Sequence, residues 1–190
     1  MDLFEKHKEL KASIGNFVTE FSVMEYGLGI ICTFAEFDLM RKEEHLADYL
    51  GLALDQKKRK ITDYIDKYEP NLSHTWDGLK RTIDDLNKKR RFIAHGIQQV
   101  FVDDSIVANV RVGKKLETRR LTKEEIDGWT SELHELNSGS NGIVGSFYID
   151  FVRRSVNRWN EHVKDELKMK YLVNDVLVTS GRVNKLVISL

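Results

Sequence analysis

Proline occurs once in this 190-residue chain, at position 70. On both sides of it apolar residues recur at three- and four-residue steps, the spacing of one face of an α-helix. From Asp2 to about Phe37 the face is Leu10, Ile14, Phe17, Phe21, Met24, Leu28, Ile31 and Phe34. Gly15, Gly27 and Gly29 weaken this helix without ending it, and the last two leave room for another backbone to approach. Glu25 stands at the edge of the stripe and reads as a solvated surface residue. A second helix is expected from about Lys42 to Tyr68 with a break near Gly51. Within it the basic run Lys57-Lys58-Arg59-Lys60 reads as a solvated face. Pro70 ends that helix and leads into a third, capped by Asn71 or Ser73.

The third helix carries a break in its own pattern. Trp76, Leu79, Ile83, Leu86 and Ile93 form one apolar line, and position 90, on that line, is an arginine. A charge in that phase has to snorkel, pair or meet an anion, because an unpaired buried charge is very costly. His95 follows five positions on, beside Gly96, where the helix is expected to stop. A basic last turn with a terminal His is also what the helix dipole favours. The core-phase position of Arg90 is not explained by the dipole.

After Gly96 the period changes to two. Val100, Val102, Ile106, Val107, Val110 and Val112 are β-branched, and Asp103-Asp104-Ser105 supplies a turn. The pattern predicts a β-hairpin at about 98–112, with room for a short third strand after Gly113, so that the insertion spans 98–120. Thr122 and Glu125 form a capping-box pair, which predicts a helix from there to about Leu136. Residues 137–142 are the most loop-like stretch, and a last helix is expected from about Ile143 to Met169. The tail at 171–190 reads as either a hairpin or an irregular arm lying on another subunit. Together these features predict one mainly α domain over residues 1–190, an antiparallel helical bundle carrying an inserted β-hairpin.

Thirty Lys and Arg balance thirty Asp and Glu, which argues against a protein that coats nucleic acid by bulk electrostatics but leaves room for a local basic cleft. A lone Cys32 cannot form an intrachain disulfide, and on an apolar helix face it reads as packing. Asp2, Glu5 and Lys6 argue against a signal peptide, and no run approaches the roughly 20 apolar residues of a membrane span. The expectation is therefore a soluble, cytoplasmic protein with no membrane contact. There is no Gly-rich phosphate loop, no dinucleotide fingerprint, no pair of His four apart and no Cys-x-x-Cys, so no cofactor and no metal site is expected.

The segment from Leu86 to Gly96, with Arg90, four residues, His95 and Gly96, resembles the signature of HEPN-type domains. The earlier stretch from Phe21 to Leu28 is similar to the first-helix pattern of that group. The likeness covers roughly residues 10–96. One departure is Arg91, where members often have Asn, Asp or His. The resemblance implies a HEPN-like homodimer whose motif residues meet in an interface cleft. It further implies a metal-independent endoribonuclease of a toxin, phage-defence or RNA-processing system, with RNA as substrate and an antitoxin or defence protein as a possible partner. Carried over, His95 is the general acid or base and Arg90 holds the scissile phosphate. Lys88, Lys89 and Arg91 would then track flanking phosphates. On a regular helix Arg91, not Arg90, shares a face with His95. Arg90 and His95 converge if the helix ends at Ala94 or if two chains build the cleft; otherwise Arg91 is the working arginine. The alternative is a non-catalytic dimeric interaction or RNA-binding module. The wide apolar face of the first helix, with its two glycines, and the second stripe on the motif helix also suggest a two-fold interface.

Overall fold

The computed structural model describes residues 3–36, 38–94, 97–102, 105–139, 142–143 and 145–164. The chain is mainly helical. Helix α1 (Leu3–Phe34) is followed by a 3-10 turn, Leu39–Arg41, and by α2 (Lys42–Leu50) and α3 (Leu54–Tyr68). A second 3-10 turn, Pro70–Leu72, runs straight into α4 (Ser73–Ala94). A three-stranded antiparallel sheet comes next, β1 (Ile97–Val102), β2 (Ser105–Val112) and β3 (Lys115–Thr122), in the order β1-β2-β3. Helices α5 (Lys123–Ser138) and α6 (Ser146–His162) complete the described fold.

The break expected near Gly51 separates α2 from α3. The second helix restarts where Ala53 N donates to Gln56 Oε1 at 3.1 Å. Thr122 caps α5 as its sequence predicts, its hydroxyl accepting from Glu125 N. Elsewhere the boundaries move. The motif helix begins through the 3-10 turn, with Pro70 in its first position, and not through a side-chain cap at Asn71 or Ser73. Asn137 and Ser138 belong to α5 and not to a loop, because Asn137 is buried and its Nδ2 donates to Glu20 O and Glu20 Oε2, both at 3.0 Å. The chain then turns tightly: a Cβ on Gly142 would lie 2.6 Å from the Asn137 carbonyl oxygen. Ile143 is buried in this turn and α6 starts only at Ser146. The third strand is as long as the second. It is reached by a two-residue turn in which Gly113 adopts φ +62°, a conformation that glycine takes without penalty. The last helix, expected to run to Met169, ends at His162, where Val163 turns to an extended conformation; the tail at 171–190 lies outside the described residues.

Helix α1 is the spine. Leu10, Phe17, Phe21, Met24, Leu28 and Ile31 are all buried within a single chain, chiefly by α5 and α2 and also by α3 and α6. An uncovered apolar face therefore does not argue for a dimer. Nor does Gly29, since a Cβ there would lie 3.0 Å from Leu50 Cδ2 of the chain's own α2. By length and composition α1 is apolar enough to cross a bilayer between Glu5 and Phe34, contrary to expectation, but 56% of its apolar 18-residue window is buried inside the fold. Not every helix pair is antiparallel. Helices α3 and α4 are, since Lys58 meets Asp84 while Thr62 meets Trp76. Helices α1 and α5 run the same way: Phe17 packs on Trp129 and Glu20 bonds Asn137. Between α4 and α5 the sheet turns the chain around, β2 lying on α4 and β3 on α5.

The basic run of α3 is not a solvated face. Lys57 is 3% exposed, and its Nζ donates to Glu25 O of α1 and Leu50 O of α2, each at 3.3 Å. Lys58 pairs with Asp55 and Asp84, and Lys60 with Glu36 at 2.7 Å. Only Arg59 faces outward in the way the run suggests. The cause is helix phase: Lys57 lies on the line of Leu54 and Ile61, so its stem packs with the core and its ammonium must find acceptors there. Lys57→Ala is expected to cost about 2–4 kcal/mol from lost packing and hydrogen bonds to a charged donor. Arg59→Ala should stay within about 0.5 kcal/mol of the parent. Urea unfolding of the two variants checks this, and equal effects would contradict it.

Candidate active site

The apolar stripe of α4 is buried as its spacing requires, from Trp76 through Leu79, Ile83 and Leu86 to Ile93. Arg90 interrupts it and is met from α1. Its Nη1 donates to Glu25 Oε1 at 3.0 Å, and its guanidinium lies 4.7 Å from the centre of the Phe21 ring. The two side chains are 26% and 33% exposed, so the pair sits at the rim of the core. Glu25 is thus not a free surface carboxylate but the counter-ion of the one charge on the α4 stripe. Sequence reading missed this because the partners stand 65 positions apart and Glu25 lies at the margin of its own stripe. The other N–H groups of Arg90 have no protein acceptor among the described residues.

One residue on, a helical residue turns by about 100°, and the surroundings change completely. Arg91 and Lys88 are exposed, and among the described residues neither makes an ion pair. With Lys89 and Phe92 they line one side of a groove of about 620 Å³, whose other side is Val110 and Arg119 of the sheet. Asp85 and Glu117 also line it, but the basic side chains outnumber them. Lys89 bonds Glu132 at 2.6 Å and Asp85 at 2.9 Å. Burial alone would lower its pKa; the hydrogen bonds to Glu132 and Asp85 outweigh burial and raise it, so the ammonium stays charged. The field of Arg91 reaches Asp55, whose carboxyl is held below its usual range mainly by the hydrogen bond from Lys58.

Of the residues singled out in sequence, Lys88, Lys89 and Arg91 therefore come together on one groove, while Arg90 faces α1 instead. Helix α4 extends to Ala94. His95 itself, with Gly96, lies outside the described residues. Arg119 and Phe92 also line the groove, and no local pattern in the sequence marks them out. Asp84 and Asp85 are surface residues, each ion-paired, to Lys58 and Lys89.

Cys32 is not a nucleophile. It is fully buried, its Sγ donates to Lys57 O at 3.5 Å, and burial is the main cause that pushes its thiol up to about 12. No family model, curated protein or solved structure matches the chain.

The geometry gives two expectations. Glu25→Ala leaves Arg90 at the core rim without its counter-ion and should destabilise the fold by about 1–2 kcal/mol. The same change in an Arg90→Leu background should cost clearly less, so a double-mutant cycle by chemical unfolding would return a coupling of about 0.5 kcal/mol or more; strict additivity would deny the pair any role. The folded Cys32 thiol keeps its proton to about pH 12, whereas an ordinary one loses it near 9.0. Its contribution to stability is therefore complete below pH 9 and is lost as pH rises towards 12. Native protein should resist alkylation at pH 8 and react at once when unfolded, as mass spectrometry would record.

Proposed function

We propose that this protein is a HEPN-type, metal-independent endoribonuclease that works as a homodimer. The observation that carries the reading is the basic end of α4: Lys88, Lys89 and Arg91 border one groove, on a helix that extends to Ala94, just before the chain reaches His95. Such a groove suits a phosphate backbone, with Lys88 and Arg91 free to exchange water for phosphate oxygens. In this reading His95 is the general base or acid towards the ribose 2′-hydroxyl or the leaving 5′-oxygen, the proton-transfer role to which an imidazole is suited. Arg90 stabilises the charge that builds on the phosphorane, using the N–H groups that Glu25 leaves open. Glu25 then orients the guanidinium. A role in a toxin, phage-defence or RNA-processing system follows from the same resemblance.

A second reading, an RNA-binding module that does not cut, is favoured by one observation. Arg90 is already engaged by a carboxylate, which a phosphate would have to displace or share. One experiment separates the two. Purified protein incubated with RNA in EDTA is expected to cut it and leave a cyclic phosphate end. His95→Ala should abolish cutting with the thermal midpoint nearly unchanged, and light scattering should report a dimer. RNA that is bound but never cut, with His95→Ala indistinguishable from the parent, selects the module. Failure to bind RNA at all overturns both.

A further inference from the structure

Arg119 breaks the pattern of the sheet as Arg90 breaks that of the helix. In an antiparallel pair, residues directly opposite one another point to the same side. Ile106, Ala108 and Val110 of β2 are buried, and their partners on β3 are Leu121, Arg119 and Glu117. Leu121 is buried in turn. Arg119 therefore occupies an inward position where an apolar side chain is expected. It is held there by three groups: it pairs with Glu125, and its guanidinium lies 5.0 Å from the Trp129 ring centre and 5.7 Å from that of Phe92. Even so, 42% of the side chain stays exposed, on the groove that Lys88 and Arg91 border from the other side.

An inward charge on an edge strand has a plain explanation, since it discourages pairing with another sheet. A lysine would serve that purpose equally well and would need neither ring. What this site adds is a fixed planar cation backed by two aromatic rings, with an accessible part facing a cationic groove. A guanidinium plane is a surface on which an unstacked base can lie. A duplex offers no such base, because each is stacked between its neighbours. The apolar part of the groove's lining is Phe92 on one side and Val110 on the other, which suits the body of a base and not a second phosphate. Glu117 would repel a phosphate at that spot but can accept a hydrogen bond from a base amino group.

We infer that Arg119 is a base-stacking platform for single-stranded RNA, with Lys88 and Arg91 holding the flanking phosphates. This rests on the RNA reading above and assigns the inserted sheet a part in choosing the substrate. The test is fluorescence anisotropy on the full chain with three probes: a single strand of about 12 nucleotides, the same strand carrying abasic positions at its centre, and its blunt duplex. The parent protein should prefer the intact strand over the other two, over the abasic strand by about tenfold. Arg119→Lys keeps the charge and loses the plane. It should weaken the intact strand by about tenfold, leave the abasic strand unchanged and keep the salt dependence of the parent. Arg91→Ala should instead weaken every probe and flatten the salt slope by about one. The inference is overturned if the parent binds intact and abasic strands equally, a comparison that needs no variant to fold. It is overturned too if Arg119→Lys binds the intact strand like the parent. In either case RNA is still bound and only the platform is lost; if no probe binds, the RNA reading itself falls with it.

Discussion

A cation on the apolar line of a helix has to be answered by something, and in this fold the answer comes from a distant part of the chain. Arg90 is met by Glu25 and Phe21 of α1, and Lys57 by the carbonyl oxygens of Glu25 and Leu50. Both cations converge on the same short stretch of α1, one through the side chain of Glu25 and the other through its main chain. That stretch therefore fixes where α2, α3 and α4 stand relative to the spine. Apolar packing alone tolerates sliding and exchange of similar shapes. A half-buried ion pair and a buried ammonium do not, since each is costly when its partner is displaced. The register of α4 on α1 sets, in turn, which way the following residue points, and Arg91 faces the groove because Arg90 faces Glu25.

The sheet makes the other wall of that groove, and it does so by turning the chain around between two neighbouring helices. Helices α4 and α5 share a boundary, marked by Lys89 bonding Glu132 and lying over Trp129. The three strands fold back over the end of α4, so that β3 brings Arg119 beside Phe92 and Trp129. A cluster of arginine, lysine and two rings from three elements results, with carboxylates at its back and uncommitted cations at its front. The zero net charge of the chain hides this separation.

Much of the fold was legible because periodicity reports burial directly. The α4 stripe, the break near Gly51, the Thr122 cap and the change from helical to alternating pattern at Gly96 all follow from local residue choice. Pairing between remote residues does not. Nothing near Glu25 announces Arg90, and nothing near Arg119 announces Phe92. The phase argument that picks out Arg90 also picks out Lys57, between Leu54 and Ile61, and sets it apart from the exposed Arg59. The parallel course of α1 and α5 was out of reach for a different reason, since bundle patterning is the same for either direction of packing. The loop expected to begin at Asn137 moved because one side chain found acceptors on Glu20, a contact that no propensity encodes.

The parallel seating of α5 on α1 also bears on how the chain comes off the ribosome. Phe17 is made early, and Trp129, which packs on it, belongs to the second half of the sequence. At ordinary rates of synthesis the two emerge on the order of ten seconds apart. Through that interval α1 holds a helix apolar enough to cross a bilayer while one of its main covering partners is still untranslated. The short α2 and the start of α3 shield part of it sooner, and Lys57 becomes available to tie them down. A nascent helix of this kind is what chaperones and membrane-targeting factors bind, so its release to the folded core depends on translation reaching α5 before either holds it for long.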